Sequence, residues 1–348
     1  MPTMPTPMES FTTRSSLAAG AHHASDTIEL LQPLALSFAY THDMHDPPGS
    51  TEHQHRRRGE DGHMLRIGIV GTENSHADHF VRHLNVDRHR PDARVVALAG
   101  GETDKNRTLA TEGGIEVVAD SISDVADQID AAVVCDRDGG RHRANTLPLL
   151  EAGKHVFVDK PTATTTGDVR AMIAAARSAG AILASWSILR HAPGVEALRA
   201  KAADRTPSVI TVTGPADPAN PHAGLFFYGP HIVELALEAL GNPTLNGDDV
   251  SVHRGHDVVT AIARAGGTQL VLNFVAGTGP MPWHVTVADP HDLYGTEITT
   301  DMLDHSSGLD RFVDAVLAGQ APDPHEQLVT PVTILAAVNN QLGRHTSS

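Results

Sequence analysis

From residue 65 to residue 185 short apolar, β-branched runs alternate with helix-forming segments, and no other pattern in the chain restricts its fold more. The predicted strands are Ile67 to Val70, Ala93 to Ala99, Gly114 to Val118, Ala131 to Cys135, His155 to Val158 and Ala181 to Ser185. Between them lie helical stretches at His76 to Leu84, from Lys105, at Ser121 to Gln128, at Asn145 to Ala152 and at Thr166 to Ala179, the last closed by Gly180. Strands that alternate with helices must be joined by right-handed crossovers, so they form a mostly parallel sheet covered on both faces. Beyond about residue 190 the pattern changes. Ser208 to Thr213, Asp249 to His253, Val258 to Ala263, Gln269 to Val275 and His284 to Val287 are period-2 or β-branched runs separated by turn residues, which predicts a mainly antiparallel sheet. Arg311 to Leu317 and Val332 to Leu342 return to helical spacing. The expected architecture is an α/β doubly wound domain over residues 64–186, then an α+β domain over 187–348 whose C-terminal helix packs back on the first.

The first turn carries the most chemistry. The strand ends at Gly71, and Ser75 with Asp78 resembles a capping box opening the helix from His76. In the G-x-G-x-x-G fingerprint of dinucleotide sites the first glycine permits a tight turn, the second lets backbone approach a pyrophosphate, and the third lets helix and strand pack closely. Gly71 fills the first position, but Glu73 and His76 occupy the others. A Glu73 carboxylate about 4 Å from a pyrophosphate would be repelled by on the order of 4 kcal/mol at an effective dielectric of about 20, roughly a thousandfold in affinity. Glu73 must therefore point away, be paired, or mark a site that no longer takes dinucleotides in the usual pose.

Composition bounds the alternatives. The 348 residues are 40% hydrophobic, enough for two cores, and no stretch reaches the roughly 20 apolar residues of a membrane span. A net charge of -16 argues against a nucleic-acid or anionic-membrane partner and for a small-molecule ligand. Cys135 is the only cysteine, so there is neither an intrachain disulfide nor a thiolate metal cluster, which fits a reducing cytoplasm. Residues 1–63 differ from the rest: Met-Pro-Thr repeats, scattered histidines, Pro47-Pro48-Gly49 and Arg56-Arg57-Arg58 predict a disordered extension or a misplaced start, with the functional protein beginning near Met64.

The segment Glu151-Ala152-Gly153-Lys154-His155-Val156-Phe157-Val158-Asp159-Lys160-Pro161 resembles the E-A-G-K-H-V-x-x-E-K-P block of the Gfo/Idh/MocA oxidoreductases. Weaker pieces follow in the family's order: Ile67 to Gly71, His142 nine residues before Glu151, His231 with Glu234, and Arg311 to Gly319 followed by Pro322. The resemblance implies a Rossmann-type fold, a second-domain sheet that commonly pairs subunits into a homo-oligomer, and hydride transfer between NAD or NADP and a sugar, cyclitol or related alcohol. It implies Lys160 and His231 as the proton-transfer pair. It implies a cofactor site of Gly71, Thr72, Glu73, Asn74, Ser75, Gly100, Asp136, His142, Asp159 and Pro161, and substrate contacts at Arg190, Tyr228 and Glu234.

Three positions depart from the family. Besides Glu73, the ribose-binding acid expected after the second strand falls at Gly100; Glu102 stands two residues on, while Lys105 and Arg107 would suit a 2′-phosphate, so NAD and NADP both remain open. The carboxylate expected four residues before the histidine is Phe227, and Glu234 replaces it only by turning back toward the ring. Asp136, Arg137 and Asp138 either line the nicotinamide side or form a solvated loop ahead of Gly139-Gly140. His76, His79 and His83 share a helix face but span about 10 Å of rise, too far to converge on one metal, so no metal is expected. Two readings survive: a dehydrogenase, or a non-redox small-molecule-binding or regulatory protein on the same scaffold.

Overall fold

The computed structural model describes residues 64–277 and 281–345; the expectation for residues 1–63 lies outside them. In the first half β1 (Leu65–Val70) leads to α1 (Ser75–Val81), β2 (Ala93–Ala99) to α2 (Thr103–Gly113) and on to β3 (Val117–Ala119), β4 (Ala131–Val134) to α3 (His142–Glu151), and β5 (His155–Val158) to α4 (Thr166–Ala179) and β6 (Leu183–Ser185). The six strands pair in parallel in the order β3-β2-β1-β4-β5-β6. Chain direction across the sheet reverses between β1 and β4, and the loops leaving their carboxyl ends diverge there into a crevice. Fully buried Ile67, Ile69, Val133 and Val134 anchor the two strands that flank it.

The turn itself corrects the expected capping box. Asn74, in extended backbone, is the N-cap of α1 and its side chain accepts from the His76 amide. Asparagine caps as well as serine, and its position one residue earlier lets Ser75 enter the helix. Gly71 has a φ of +83°, and a Cβ there would lie 2.6 Å from Asp136 Cα, so this close approach of the two loops admits only glycine.

The second half adds α5 (Val195–Asp204), β7 (Val209–Pro215), α6 (Leu225–Ala239), β8 (Ser251–Arg254), β9 (Val258–Ala265), β10 (Thr268–Val275), β11 (Trp283–Ala288), β12 (Leu293–Ile298), α7 (Ser307–Ala318) and α8 (Glu326–His345). Its sheet runs β12-β11-β7-β10-β9-β8 and is mixed rather than purely antiparallel, because β7 and β10 pair in parallel. The crossover through α6 makes this possible. α6 is buried along nearly its whole length and packs on β7, β10, α5 and α8, while α8 also reaches α4. Among the described residues no helix is long and apolar enough to cross a membrane.

Candidate active site

The loop after β5 contributes Asp159 and Lys160, both buried, and continues through a cis Lys160–Pro161 bond. Asp159 is the most heavily compensated charge nearby. Its Oδ2 accepts from His76 Nδ1 at 2.8 Å and from Asn74 Nδ2 at 3.1 Å, and its Oδ1 from the Lys160 amide at 2.9 Å. Burial alone would raise the carboxyl pKa, but His76 and Lys160 more than reverse it and hold it well below the usual carboxylate range. His76, which the sequence offers only as one of three histidines on a helix face, is tied into this network from the third fingerprint position.

Lys160 points away from the first sheet toward α6. Its Nζ donates to the Phe227 carbonyl at 2.9 Å and stands 4.7 Å over the Phe227 ring and 5.4 Å from the Tyr228 ring. Burial pushes its pKa down, against the attraction of Asp159 and Glu234. Phe227 thus meets the lysine through its carbonyl and its ring face, and offers no carboxylate to His231.

Leu225 to Tyr228 form the first turn of α6, so His231 sits in the second turn. The ring is 4% exposed, 5.6 Å from Tyr228 and 5.5 Å from Trp283 between centroids. Burial, then the charge of Lys160, holds its pKa well below the ordinary 6.5. Its Nδ1 lies 2.6 Å from Ser187 Oγ, just past β6, whereas Glu234 turns away from the ring and its Oε2 accepts from the Ser187 amide at 2.7 Å. Burial raises the Glu234 pKa to about 7 despite Arg190. Ser187 was missed in the sequence because nothing local marks it; only its position at the carboxyl end of a parallel strand points to it.

At the other end of the crevice Glu73 is turned toward the β4 loop. Its Oε1 accepts weakly from the Arg137 amide at 3.4 Å and lies 3.9 Å from Arg141 Nη1, while its Oε2 is buried without a partner. Asp136 is buried beneath Asn145 Nδ2, 2.7 Å from its Oδ2, and Arg141. His142 bridges the Asp136 and Pro161 carbonyls at 2.8 and 2.6 Å, which ties the loop after β4 to the loop after β5. At the end of β2, Asn106 Nδ2 donates to the Gly100 carbonyl and its Oδ1 takes the Thr72 hydroxyl. Lys105 folds back onto the Asn74 carbonyl and Asp78.

Arg190 is displaced from its expected role. Its Nε donates to Glu238 at 2.8 Å and its Nη2 to Gln327 at 3.4 Å, with Asp323 4.0 Å from Nη1, so the buried guanidinium is consumed by structural partners and offers no clamp for an anionic ligand. Tyr228, by contrast, remains 38% exposed beside His231. The remaining helix-face histidines also have structural partners: His83 lies 2.8 Å from Asp310, and His79 stacks on His305.

Residues 65–186 match the Gfo/Idh/MocA family, described as an oxidoreductase family with an NAD-binding Rossmann fold. A 1,5-anhydro-D-fructose reductase from Ensifer adhaerens is 35% identical over 137 residues, 39% of this chain and 40% of the relative. Inositol 2-dehydrogenase 1 of Saccharopolyspora erythraea is 39% identical over 113 residues, 32% of each. The chain therefore spans less than half the length of these two relatives. Solved structures extend the likeness at the level of fold. GenD2 from gentamicin A biosynthesis, solved in complex with NAD, superposes with a TM-score of 0.68 at 20% identity over 83% of this chain and 97% of its own. Myo-inositol 2-dehydrogenase from Lactobacillus plantarum does so with a TM-score of 0.67 at 15% identity, over 81% and 98%. The turn fits a dinucleotide at Gly71, where the glycine is intact; at the second fingerprint position one oxygen of Glu73 is drawn toward an amide and an arginine while the other has no partner among the described residues.

Proposed function

We propose that this protein is an NAD- or NADP-dependent oxidoreductase acting on a secondary alcohol of a sugar, cyclitol or related polyol, with residues 64–186 as the cofactor domain and 187–348 as the substrate and oligomerisation domain. The observation that carries the reading is the convergence of Lys160, from the loop after β5, and His231, from helix α6, in a buried recess walled by Phe227, Tyr228 and Trp283. When bound, the nicotinamide would supply or accept hydride. Gly71, Thr72, Asn74 and Ser75 would hold its phosphates, and Asp136, His142, Asp159 and Pro161 would shape the far end of the crevice. Lys160 Nζ spends one of its three donors on Phe227 and keeps two to orient a ligand hydroxyl. His231 makes no hydrogen bond through Nε2 within the described protein, which leaves that atom to exchange the hydroxyl's proton. Burial lowers the pKa of both groups, which eases proton loss from Lys160 and keeps the His231 ring neutral.

The test is turnover of myo-inositol and a panel of sugars with NAD⁺ or NADP⁺. Lys160→Ala and His231→Ala should each lower the rate by roughly a hundredfold or more; wild-type rates in both would remove the assignment. A second reading, a non-redox binding protein, is favoured by one observation: Glu73 Oε2 is a buried carboxylate oxygen without a donor, in the part of the crevice where a pyrophosphate would lie.

A further inference from the structure

We propose that Ser187 is the positioning residue of His231, fixing its tautomer in place of the carboxylate that Phe227 displaces. The inference rests on the function proposed above and concerns the same recess. Ser187 is fully buried and caps the short turn Ile188–His191, where its Oγ accepts the Leu189 amide at 3.1 Å. One lone pair of the hydroxyl is thereby used and its hydrogen is free to be donated. The acceptor in reach is His231 Nδ1, 2.6 Å away. A neutral imidazole has one donor and one acceptor nitrogen, so an accepting Nδ1 places the ring proton on Nε2, which has no partner among the described residues.

Glu234 completes the arrangement from the same helix. Three residues after His231, it lies on the same face of α6 and takes the Ser187 amide at 2.7 Å, so α6 grips Ser187 by its hydroxyl through the histidine and by its backbone through the glutamate. A carboxylate placed directly against Nδ1 would hold a proton there and favour the imidazolium. A serine hydroxyl that donates does the reverse, and it keeps the ring neutral with its acidic N–H on Nε2. The other charged and titratable groups that act on the ring agree in part: Lys160, His76 and His305 oppose its protonation, while Asp159 favours it. Ser187 and Glu234 act through His231 and touch no ligand in this scheme.

The experiment is histidine side-chain ¹⁵N NMR of the full chain from pH 6 to 8, on wild type, Ser187→Ala and Ser187→Thr, with His231→Gln to assign the signal. The expected wild-type signal is a neutral ring protonated on Nε2. Ser187→Ala should shift His231 toward a mixture of tautomers, and Ser187→Thr, which retains the hydroxyl, should restore the wild-type signal. A wild-type ring protonated on Nδ1, or a His231 signal unchanged in Ser187→Ala, would overturn the proposal and leave Ser187 as a helix-turn cap. The wild-type tautomer alone decides the matter if Ser187→Ala does not fold. Turnover of myo-inositol with NAD⁺ is the second readout: Ser187→Ala should lower kcat about tenfold with KM nearly unchanged, and Ser187→Thr should recover it. Tautomer shifts as expected in a protein without redox activity would uphold the positioning role and sink the dehydrogenase reading instead.

Discussion

Burial would drive the Asp159 carboxyl toward its neutral form, yet hydrogen bonds from His76, Asn74 and the Lys160 amide, with the charges of His76 and Lys160, turn the balance the other way. A carboxyl whose folded pKa is depressed contributes stability above its unfolded value near 4 and loses it as pH falls. Asp159→Asn should cost about 3 to 5 kcal/mol in urea unfolding at pH 7, because it leaves the Lys160 ammonium buried without its counter-charge; a change under about 1 kcal/mol would show that the lysine is already neutral. Glu234 has the opposite sign. Its pKa rises from 4.5 to about 7, so the folded protein holds a proton that the unfolded chain releases, and stability falls as pH climbs through that interval. The difference is worth roughly 3 kcal/mol. Glu234→Gln keeps the acceptor for the Ser187 amide and should flatten this part of the stability profile between pH 5 and 8. An unchanged slope would place the titration elsewhere. At this scale the sequence was legible where a motif spans neighbouring residues, as in Asp159-Lys160-Pro161. It was not where partners come from distant elements: His76 with Asp159, Ser187 with His231, and Arg190 with Glu238 are pairings that only the tertiary fold creates.

The elements that announced themselves are those with local punctuation. α4 begins at the Thr165 cap and ends at left-handed Gly180, and it runs over the residues that the spacing predicts. β12 and α5 were missed because neither shows a clean apolar period: β12 is an edge strand with exposed positions and a central Gly295, and α5 is mostly charged and alanine-rich. The second sheet is mainly antiparallel, as expected; the parallel pairing of β7 with β10 was not legible because period-2 patterning reveals which face is buried, not the direction of a neighbour. The turn between β1 and α1 depends on Gly71 alone. Gly71→Ala would force a side chain against Asp136 in a left-handed backbone conformation. It should lower stability by roughly 1 to 3 kcal/mol and abolish dinucleotide binding; thermal unfolding and cofactor titration together check both, and retained binding would separate this loop from the cofactor site.

Across the molecule, the first sheet offers a crevice at its switch point and the second sheet lays α6 beside it, so that one strand end and one helix supply the two sides of the recess. The crevice departs from the usual fingerprint at the positions where a dinucleotide would touch it. One oxygen of Glu73 meets Arg141 and the Arg137 amide while the other has no partner among the described residues, and Gly100 stands where the ribose-binding acid is expected. The measurement that decides is calorimetric titration of NAD⁺, NADH, NADP⁺ and NADPH into the full chain beside its Glu73→Gly variant. Micromolar binding of at least one of the four to the unmodified protein is the predicted result. No binding to the wild type, with binding restored by Glu73→Gly, would contradict it and mean that the scaffold has kept its fold and given up the cofactor.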